Sequence, residues 1–160
     1  MIGALIILTA VVFDQITKYF VLHGLANVNS IKIIDSLLFF TYVENRGAAF
    51  GMLQNGHQLL TMLIISIVAV LFYYIYTINK TDLIAYIAAS TVMGGAVGNL
   101  IDRLNHGFVI DFIDLRFGQF HYPVFNIADC FVVIGTFTLA LNILLNSKSI
   151  KKEECEDGNA

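Results

Sequence analysis

The chain has 160 residues, of which 58% are hydrophobic and 13% are charged, and its mean hydropathy is +0.77. The length fits a single domain, and the hydropathy is typical of an integral membrane protein and excludes an ordinary soluble one. A net charge of −3 provides no basic surface for nucleic acid, which excludes that class of function.

Four apolar segments are long enough to cross a membrane as helices, because about 20 residues at a rise of about 1.5 Å span a hydrocarbon layer of about 30 Å. Asp14 and Lys18 interrupt the first segment four residues apart, so they share a helix face that has to point into the bundle. Gly94 and Gly98 in the third segment have the spacing that lets two membrane helices approach closely. The predicted spans are residues 2–22, 57–78, 83–104 and 124–145.

The connection between the first two spans is predicted to form a small β-platform outside the membrane, at residues 27–53. Residues 31–43 are rich in β-branched and aromatic side chains, which favours short strands, and Gly47 follows in a segment suited to a tight backbone. The second connection, residues 104–123, is polar, and residues 147–160 are predicted to be a solvated, mobile tail. The predicted fold class is therefore an all-α integral membrane protein with four transmembrane helices and a small β-platform.

Both termini are predicted to lie on the same side of the membrane, because the number of spans is even. The short turn after the second span and the tail contribute lysines to that side, whereas the two longer connections carry basic residues on the other side. This balance favours cytoplasmic termini only weakly. The basic residues on the side of the termini are Lys80, Lys148, Lys151 and Lys152, and those of the longer connections are Lys32, Arg46 and Arg116.

Polar side chains gather at the end of the third span and the start of the fourth, although an ionisable group near the bilayer centre costs about 2.5–3.5 kcal/mol. Asn126 and Asp129 have the spacing of an N-cap and its third helical residue, which also fits a helix cap with no other role. Gly95 begins a polar face on the third helix and leaves room there for a ligand or another backbone. That face consists of Gly95, Asn99, Asp102 and Arg103.

Asp111 and Asp129 belong to segments that follow the third span and precede the fourth, so both lie on the same side of the membrane. Two carboxylates that share a site cannot both ionise easily, so one stays protonated. An ionised and a protonated carboxyl group together satisfy the needs of aspartyl peptide hydrolysis, in which one accepts a proton from water and the other polarises the scissile carbonyl. The sequence contains neither an H-E-x-x-H nor a G-x-S-x-G motif, and aspartyl chemistry needs neither a metal nor an organic cofactor.

The residues alone leave other functions open. Asp111 also fits a strand-like loop in water. A proton- or ion-coupled transporter would use the intramembrane carboxylates as a relay, although transporters favour charged sites near the midplane and repeated halves, and no repeat is visible. A non-catalytic scaffold would use the carboxylates only for pairing and capping. The relay would consist of Asp14, Asp102, Asp111 and Asp129.

Five short blocks, in order along the chain, resemble those of the bacterial lipoprotein signal peptidase (signal peptidase II) family. Any one of them would be a weak signal, whereas all five together with four spans are specific. The blocks are Asp14-Gln15-Ile16-Thr17-Lys18, Asn45-Arg46-Gly47-Ala48-Ala49-Phe50, Gly98-Asn99-Leu100-Ile101-Asp102-Arg103, Val109-Ile110-Asp111-Phe112-Ile113-Asp114 and Phe125-Asn126-Ile127-Ala128-Asp129.

The resemblance implies an intramembrane aspartyl endopeptidase of the bacterial cytoplasmic membrane. It would cleave diacylglyceryl-modified prolipoproteins just before the lipidated cysteine, and we expect a monomer that contacts membrane lipids and is inhibited by globomycin. By position, Asp111 and Asp129 would be the catalytic dyad, the termini would be cytoplasmic and the site and platform extracytoplasmic. The substrate-binding or supporting residues would be Asp14, Asn45, Gly47, Gly95, Asn99, Arg103 and Asn126.

Overall fold

The computed structural model describes residues 1–26, 28, 30–47, 57–78 and 81–157. Within these residues, four helices are long and apolar enough to cross a membrane, which confirms the predicted four-helix class. The parts of the predicted platform at 27, 29 and 48–53 lie outside the described residues. The helices are α1 (Ile2–Leu25), α2 (His57–Thr77), α3 (Leu83–His106) and α4 (Ile127–Asp157).

Helix α3 lies between the other helices and packs against α1, α2 and α4. Its glycines permit this packing: a Cβ on Gly94 would collide with Ala10 of α1, and a Cβ on Gly98 would collide with the carboxylate of Asp14. The predicted close approach at this pair of glycines is therefore confirmed. Helix α3 ends at Gly107, whose φ of 79° is in the left-handed region and whose N–H donates to the carbonyl of Arg103.

Among the described residues, the sheet has four antiparallel strands in the order β1-β2-β3-β4. The sequence placed the platform in the first connection only, whereas the second connection supplies a nine-residue interior strand and a short edge strand. Apolar alternation is weak in the second connection because β3 is buried over most of its length on both faces. The strands are β1 (Ile31–Ile34), β2 (Leu38–Asn45), β3 (Val109–Phe117) and β4 (Phe120–His121).

An apolar cluster joins the sheet to the helices. Val21 and Leu25 at the end of α1 pack against Ile110 and Phe112 of β3, and all four are at least 94% buried. Burial of each such side chain stabilises the fold by about 1.5–3 kcal/mol. The strand that carries Asp111 is therefore fixed to the end of the bundle.

Two irregularities of the sheet place the polar residues. A β-bulge between Phe40 and Val43 shifts the pairing of β2 with β3 by one residue. On the other side of β3, the backbone of Phe125 pairs with Ile113 through N–H···O bonds of 2.8 and 3.1 Å. This bridge holds the chain beside β3 immediately before Asn126, the residue that precedes α4.

The fourth helix differs from its prediction at both ends. It begins at Ile127 and not near 124, because residues 122–126 pass beside β3 before the helix begins. It continues through Asp157, so that most of the segment predicted as a mobile tail is helical. The lysines and glutamates of this segment are good helix formers, and their polarity does not end the helix.

Candidate active site

Asp129 is held at the first turn of α4 by a reciprocal cap with Asn126. The backbone N–H of Asp129 donates to Asn126 Oδ1 at 3.0 Å, and the backbone N–H of Asn126 donates to Asp129 Oδ2 at 3.2 Å. The predicted helix cap is therefore real. The other carboxylate oxygen, Oδ1, accepts a hydrogen bond from Asn99 Nδ2 at 2.8 Å. Asp129 is half-buried, and both its oxygens have fixed donors.

Asp111 is on β3 and is 2% exposed. Its Oδ2 accepts a hydrogen bond of 2.8 Å from Asn45 Nδ2, and its Oδ1 accepts one of 2.6 Å from Asn126 Nδ2. The alternative of a strand-like loop is correct about the strand but wrong about exposure to water.

Asn126 connects the two carboxylates. It is fully buried, its side-chain amide binds Asp111, and its backbone N–H binds Asp129. Asn126 therefore caps α4 and also holds both carboxyl groups, one through its side chain and the other through its backbone. Capping and alignment of the acids are one arrangement and do not exclude each other.

Burial makes Asp111 a weaker acid than an ordinary aspartate. Burial, and after it the charge of Asp129, raises the pKa of Asp111 from 3.8 to about 7, although the hydrogen bonds from Asn45 and Asn126 lower it. Asp129 is at a helix N-terminus, where the helix dipole and the backbone N–H favour a negative charge. The site can therefore hold one protonated and one ionised carboxyl group near neutral pH.

A guanidinium lies beside the two acids. Arg103 is 6% exposed, and its Nη2 donates to the carbonyl of Gly47 at 2.8 Å, which ties α3 to the segment after β2. Its Nε and Nη1 are buried and have no hydrogen-bond partner in the described part of the chain. Buried N–H groups without acceptors are costly, so these donors are available to a carbonyl-rich ligand. The backbone N–H of Gly47 donates to Asn45 Oδ1, which orients the Asn45 amide toward Asp111.

The chain matches the model of the family described as "Signal peptidase (SPase) II" over residues 6–145. A lipoprotein signal peptidase of Clostridioides difficile (strain 630) is 43% identical over 93% of this chain and 99% of its own length. That of Clostridium novyi (strain NT) is 39% identical over 90% of this chain and 98% of its own length. The chain belongs to the signal peptidase II family.

A solved structure agrees with this assignment. A bacterial membrane enzyme determined by the in meso method at 2.3 Å is 33% identical, with a TM-score of 0.85 over 92% of this chain and 90% of that one. With the four apolar helices, this similarity makes the chain a multi-pass membrane protein. As a signal peptidase II, it is a protease that acts in lipoprotein processing, so the transporter and scaffold alternatives are wrong.

The structure brings most of the residues predicted for this signal peptidase II site into one hydrogen-bonded group, and the exception is Gly95. A Cβ on Gly95 would collide with the carbonyl of Ala128, so the space beside it holds the α4 backbone and not a ligand. Asp14 accepts a hydrogen bond of 2.9 Å from the backbone N–H of Ala128. The group that is assembled consists of Asp14, Asn45, Gly47, Asn99, Arg103, Asp111, Asn126 and Asp129.

Three further buried or half-buried residues, Gln15, Lys18 and Asp102, contact this group but were not predicted as site residues. Lys18 Nζ forms ion pairs of 2.8 Å with Asp14 and 2.9 Å with Asp102, and Gln15 Nε2 donates to Asp102 at 2.9 Å. The spacing of Asp14 and Lys18 on one helix face was a usable signal, but it fits a structural pair equally well. Within the described part of the chain, no group of three or more His, Cys, Asp or Glu side chains is arranged to hold a metal ion.

Proposed function

We propose that Asp111 and Asp129 are the catalytic dyad of an intramembrane aspartyl endopeptidase. Its reaction is the removal of the signal peptide from a diacylglyceryl-modified prolipoprotein, with cleavage just before the lipidated cysteine. The observation that carries the proposal is the bridging of both carboxyl groups by the single buried residue Asn126. Two acids held in this way can act on one peptide bond from a fixed geometry.

In the proposed reaction, ionised Asp129 accepts a proton from a water molecule, which attacks the scissile carbonyl. Protonated Asp111 donates its proton to the carbonyl oxygen, which stabilises the negative charge that develops there and gives a gem-diol. The gem-diol then collapses, the C–N bond breaks, and the proton taken up by Asp129 passes to the leaving amine. As the C=O bond forms again, a gem-diol hydroxyl returns its proton to Asp111, so the cycle ends with Asp129 ionised and Asp111 protonated, as it began.

The assignment of the proton to Asp111 is supported by the pKa of about 7 for that group and by the helix N-terminus at Asp129. The titration belongs to the pair, so the first proton lost need not come wholly from one site. A carbon-13 carboxyl titration of the intact protein would test the assignment. We expect the Asp111 signal to shift as the pH passes through about 7, and an Asp111 signal that shifts near its ordinary value of 3.8 would contradict the assignment.

Arg103, Asn45 and Asn99 are proposed to hold the substrate backbone beside the dyad. The buried Nε and Nη1 of Arg103 supply donors for peptide carbonyls, and the amides of Asn45 and Asn99 already contact the two carboxyl groups. Asp14 is proposed to support the dyad, because its carboxylate accepts a hydrogen bond from the backbone N–H of Ala128, the residue before Asp129. The acyl chains of the substrate can stay in lipid while its backbone enters between the helices.

The dyad lies where α1 and α3 end and α4 begins, at the end of the bundle that carries the sheet. We propose that this end is extracytoplasmic and that both termini are cytoplasmic, as the resemblance to the family implies and as the lysines of the short turn and the tail weakly favour. Cysteine labelling would test this: a cysteine at Asp35 should react with an impermeant reagent in intact spheroplasts, and one at Asp82 should react only after lysis. The reverse pattern would contradict the orientation.

The activity is tested with purified protein and a matched pair of substrates, a lipidated and an unlipidated prolipoprotein. We expect cleavage of the lipidated form only, with loss of activity in Asp111→Asn and in Asp129→Asn while both variants stay folded. Asp35→Asn is the control, because the Asp35 side chain is 80% exposed. Full activity in either dyad variant would contradict the proposed chemistry.

Globomycin binding and the oligomeric state are tested with the same preparation. We expect globomycin to inhibit cleavage and to protect the wild-type protein against thermal unfolding, since a ligand that binds only the folded state raises Tm. We expect the purified protein to be monomeric by light scattering after correction for detergent. Absence of inhibition at concentrations that saturate a related peptidase would contradict the first expectation.

A further inference from the structure

The ammonium group of Lys18 lies at the centre of the polar network and is 2% exposed. Its Nζ has three acceptors, which are Asp14 Oδ2 at 2.8 Å, Asp102 Oδ2 at 2.9 Å and Asn99 Oδ1 at 2.9 Å. An ammonium has three N–H donors, so every donor is used. Each of the three acceptors leads on to one of the two acids of the dyad.

Two of these paths run through carboxylates to the backbone. Asp14 Oδ1 accepts from the N–H of Ala128 at 2.9 Å, and the next residue is Asp129. Asp102 Oδ2 accepts from the N–H of Ile110 at 3.1 Å, and the next residue is Asp111. Lys18 therefore joins the backbone of α4 to that of β3, in each case one residue before the acid.

The third path runs through an amide. Asn99 Oδ1 accepts from both Lys18 Nζ and Asn126 Nδ2, so its Nδ2 has to face the other way, toward Asp129 Oδ1. Without the ammonium, one of the two donors that fix this amide orientation is lost. A rotated amide would present its oxygen to the carboxylate of Asp129, which is repulsive.

We propose that Lys18 is a positioning residue for catalysis, which sets the relative placement of Asp111 and Asp129 through Asp14, Asp102 and Asn99. The inference rests on the proposed role of the dyad. It goes beyond the neutralisation of buried carboxylates, because neutralisation needs only charge, whereas positioning needs all three hydrogen bonds at once. Lys18 itself does not touch the dyad and takes no part in proton transfer.

The test is Lys18→Met in the full-length protein, assayed with lipidated prolipoprotein and normalised to the folded, monodisperse fraction. We expect kcat to fall about 100-fold, the loss associated with a misplacement of about 1 Å. KM should rise by a smaller factor, because Lys18 contacts Asn99, one of the proposed substrate-binding residues, whereas its three hydrogen bonds do not include Arg103. Lys32→Met is the matched control, since that lysine is 58% exposed and pairs only with Asp35 in the described structure. The control should keep wild-type kcat and KM.

Because Lys18→Met leaves two carboxylates without their cation, Lys18→Gln is the second variant. Its amide supplies two donors without charge, and we expect kcat between those of wild type and Lys18→Met. A double-mutant cycle of Lys18→Met with Asn99→Ala should be non-additive in kcat, because both changes release the same contact to Asp129.

A purely structural lysine would lower the folded fraction and Tm but leave kcat of the folded molecules unchanged, and this result would overturn the inference. Additive losses in the cycle, or failure of both variants to fold, would overturn it too. The proposed function fails separately, if Asp111→Asn or Asp129→Asn keeps activity. Normal kcat in the folded lysine variants, with inactive dyad variants, removes only the role of Lys18.

Discussion

Two carboxyl groups three residues apart on β3 show how one strand produces two different acids. Asp111 and Asp114 are both at least 96% buried, yet the pKa of Asp111 is raised to about 7 and that of Asp114 is lowered. Burial raises the pKa of both, and it is the largest influence on each. The partners therefore decide the outcome.

Asp114 accepts hydrogen bonds from a cation, whereas Asp111 accepts hydrogen bonds from two side-chain amides. Arg116 donates to Asp114 Oδ2 from Nε at 3.0 Å and Nη2 at 2.6 Å, and Thr41 Oγ1 donates at 3.0 Å, which together outweigh the burial of Asp114. Asp111 accepts from Asn45 and Asn126 and lies near the charge of Asp129. Depth of burial alone therefore does not decide the direction in which the pKa of a carboxyl group shifts.

The bulge in β2 makes this division possible. Asp111 and Asp114 point to opposite faces because they are three positions apart and successive side chains of a strand alternate between faces. Their partners on β2, Asn45 and Thr41, are four apart and would share a face in a regular strand. The extra residue between Phe40 and Val43 reverses the alternation, so that each partner lies on the face of its own acid.

The largest expected effect is the loss of activity in Asp111→Asn compared with Asp114→Asn. An asparagine at 111 cannot supply the acidic proton, so we expect kcat to fall about 10³-fold, within the range of general acid–base contributions. Asp114→Asn should keep kcat within about threefold. Both values come from cleavage of lipidated prolipoprotein, and equal losses in the two variants would remove the functional difference between the two faces.

The sequence indicated which acids are candidates for the dyad but not the environment of either one. Short blocks such as Phe125-Asn126-Ile127-Ala128-Asp129 indicated both the family and the candidate site residues. The role of β3 in the sheet was missed, because a strand buried on both faces has no apolar alternation. The bulge that places Asn45 beside Asp111 arises from the pairing of two strands that are more than 60 residues apart in the chain, and no local sequence pattern indicates it. Only the position of α4 shows that the space beside Gly95 is filled by backbone, and the sequence does not give that position.

The second effect is on stability, and the two acids should act with opposite sign. Asp111 has a folded pKa above its ordinary value of 3.8, so the folded state binds more protons and wild type loses stability as pH rises from about 4 to 7. For this shift, linkage gives a loss of about 2–3 kcal/mol between pH 5 and pH 8. Asp111→Asn should not show this loss. The unfolding free energy of the variant should therefore rise relative to that of wild type between pH 5 and pH 8.

Asp114 has a folded pKa below 3.8, so its contribution is present above that value and is lost as pH falls through the folded pKa. Asp114→Asn should therefore be less stable than wild type at pH 5 and at pH 8 by similar amounts. Denaturant or thermal unfolding in one detergent at both pH values measures these differences. A wild-type protein equally stable at pH 5 and pH 8 would contradict the raised pKa of Asp111.

The third effect is the pH dependence of catalysis. If protonated Asp111 is the acid, kcat/KM should fall as pH rises through about 7, by tenfold per unit at higher pH. The limb should be unchanged in Asp114→Asn, because the ionisation of Asp114 is complete well below that pH. A profile that stays flat from pH 6 to pH 9 would assign the proton elsewhere.

The smallest expected effect is the difference between removing a neutral hydrogen-bond donor on one face of β3 and removing one on the other. The hydrogen bond from Asn45 to Asp111 Oδ2 lowers the pKa of Asp111. Asn45→Ala removes this donor and so raises that pKa, and the basic limb of kcat/KM should move to higher pH. The loss of one fixed contact to an acid of the dyad should also reduce kcat about tenfold, the equivalent of about 1.4 kcal/mol. Thr41→Val removes the corresponding donor on the other face, and it should leave both the limb and kcat unchanged. If Thr41→Val moves the limb as far as Asn45→Ala, the two faces of β3 are electrostatically coupled, and the bulge does not separate them.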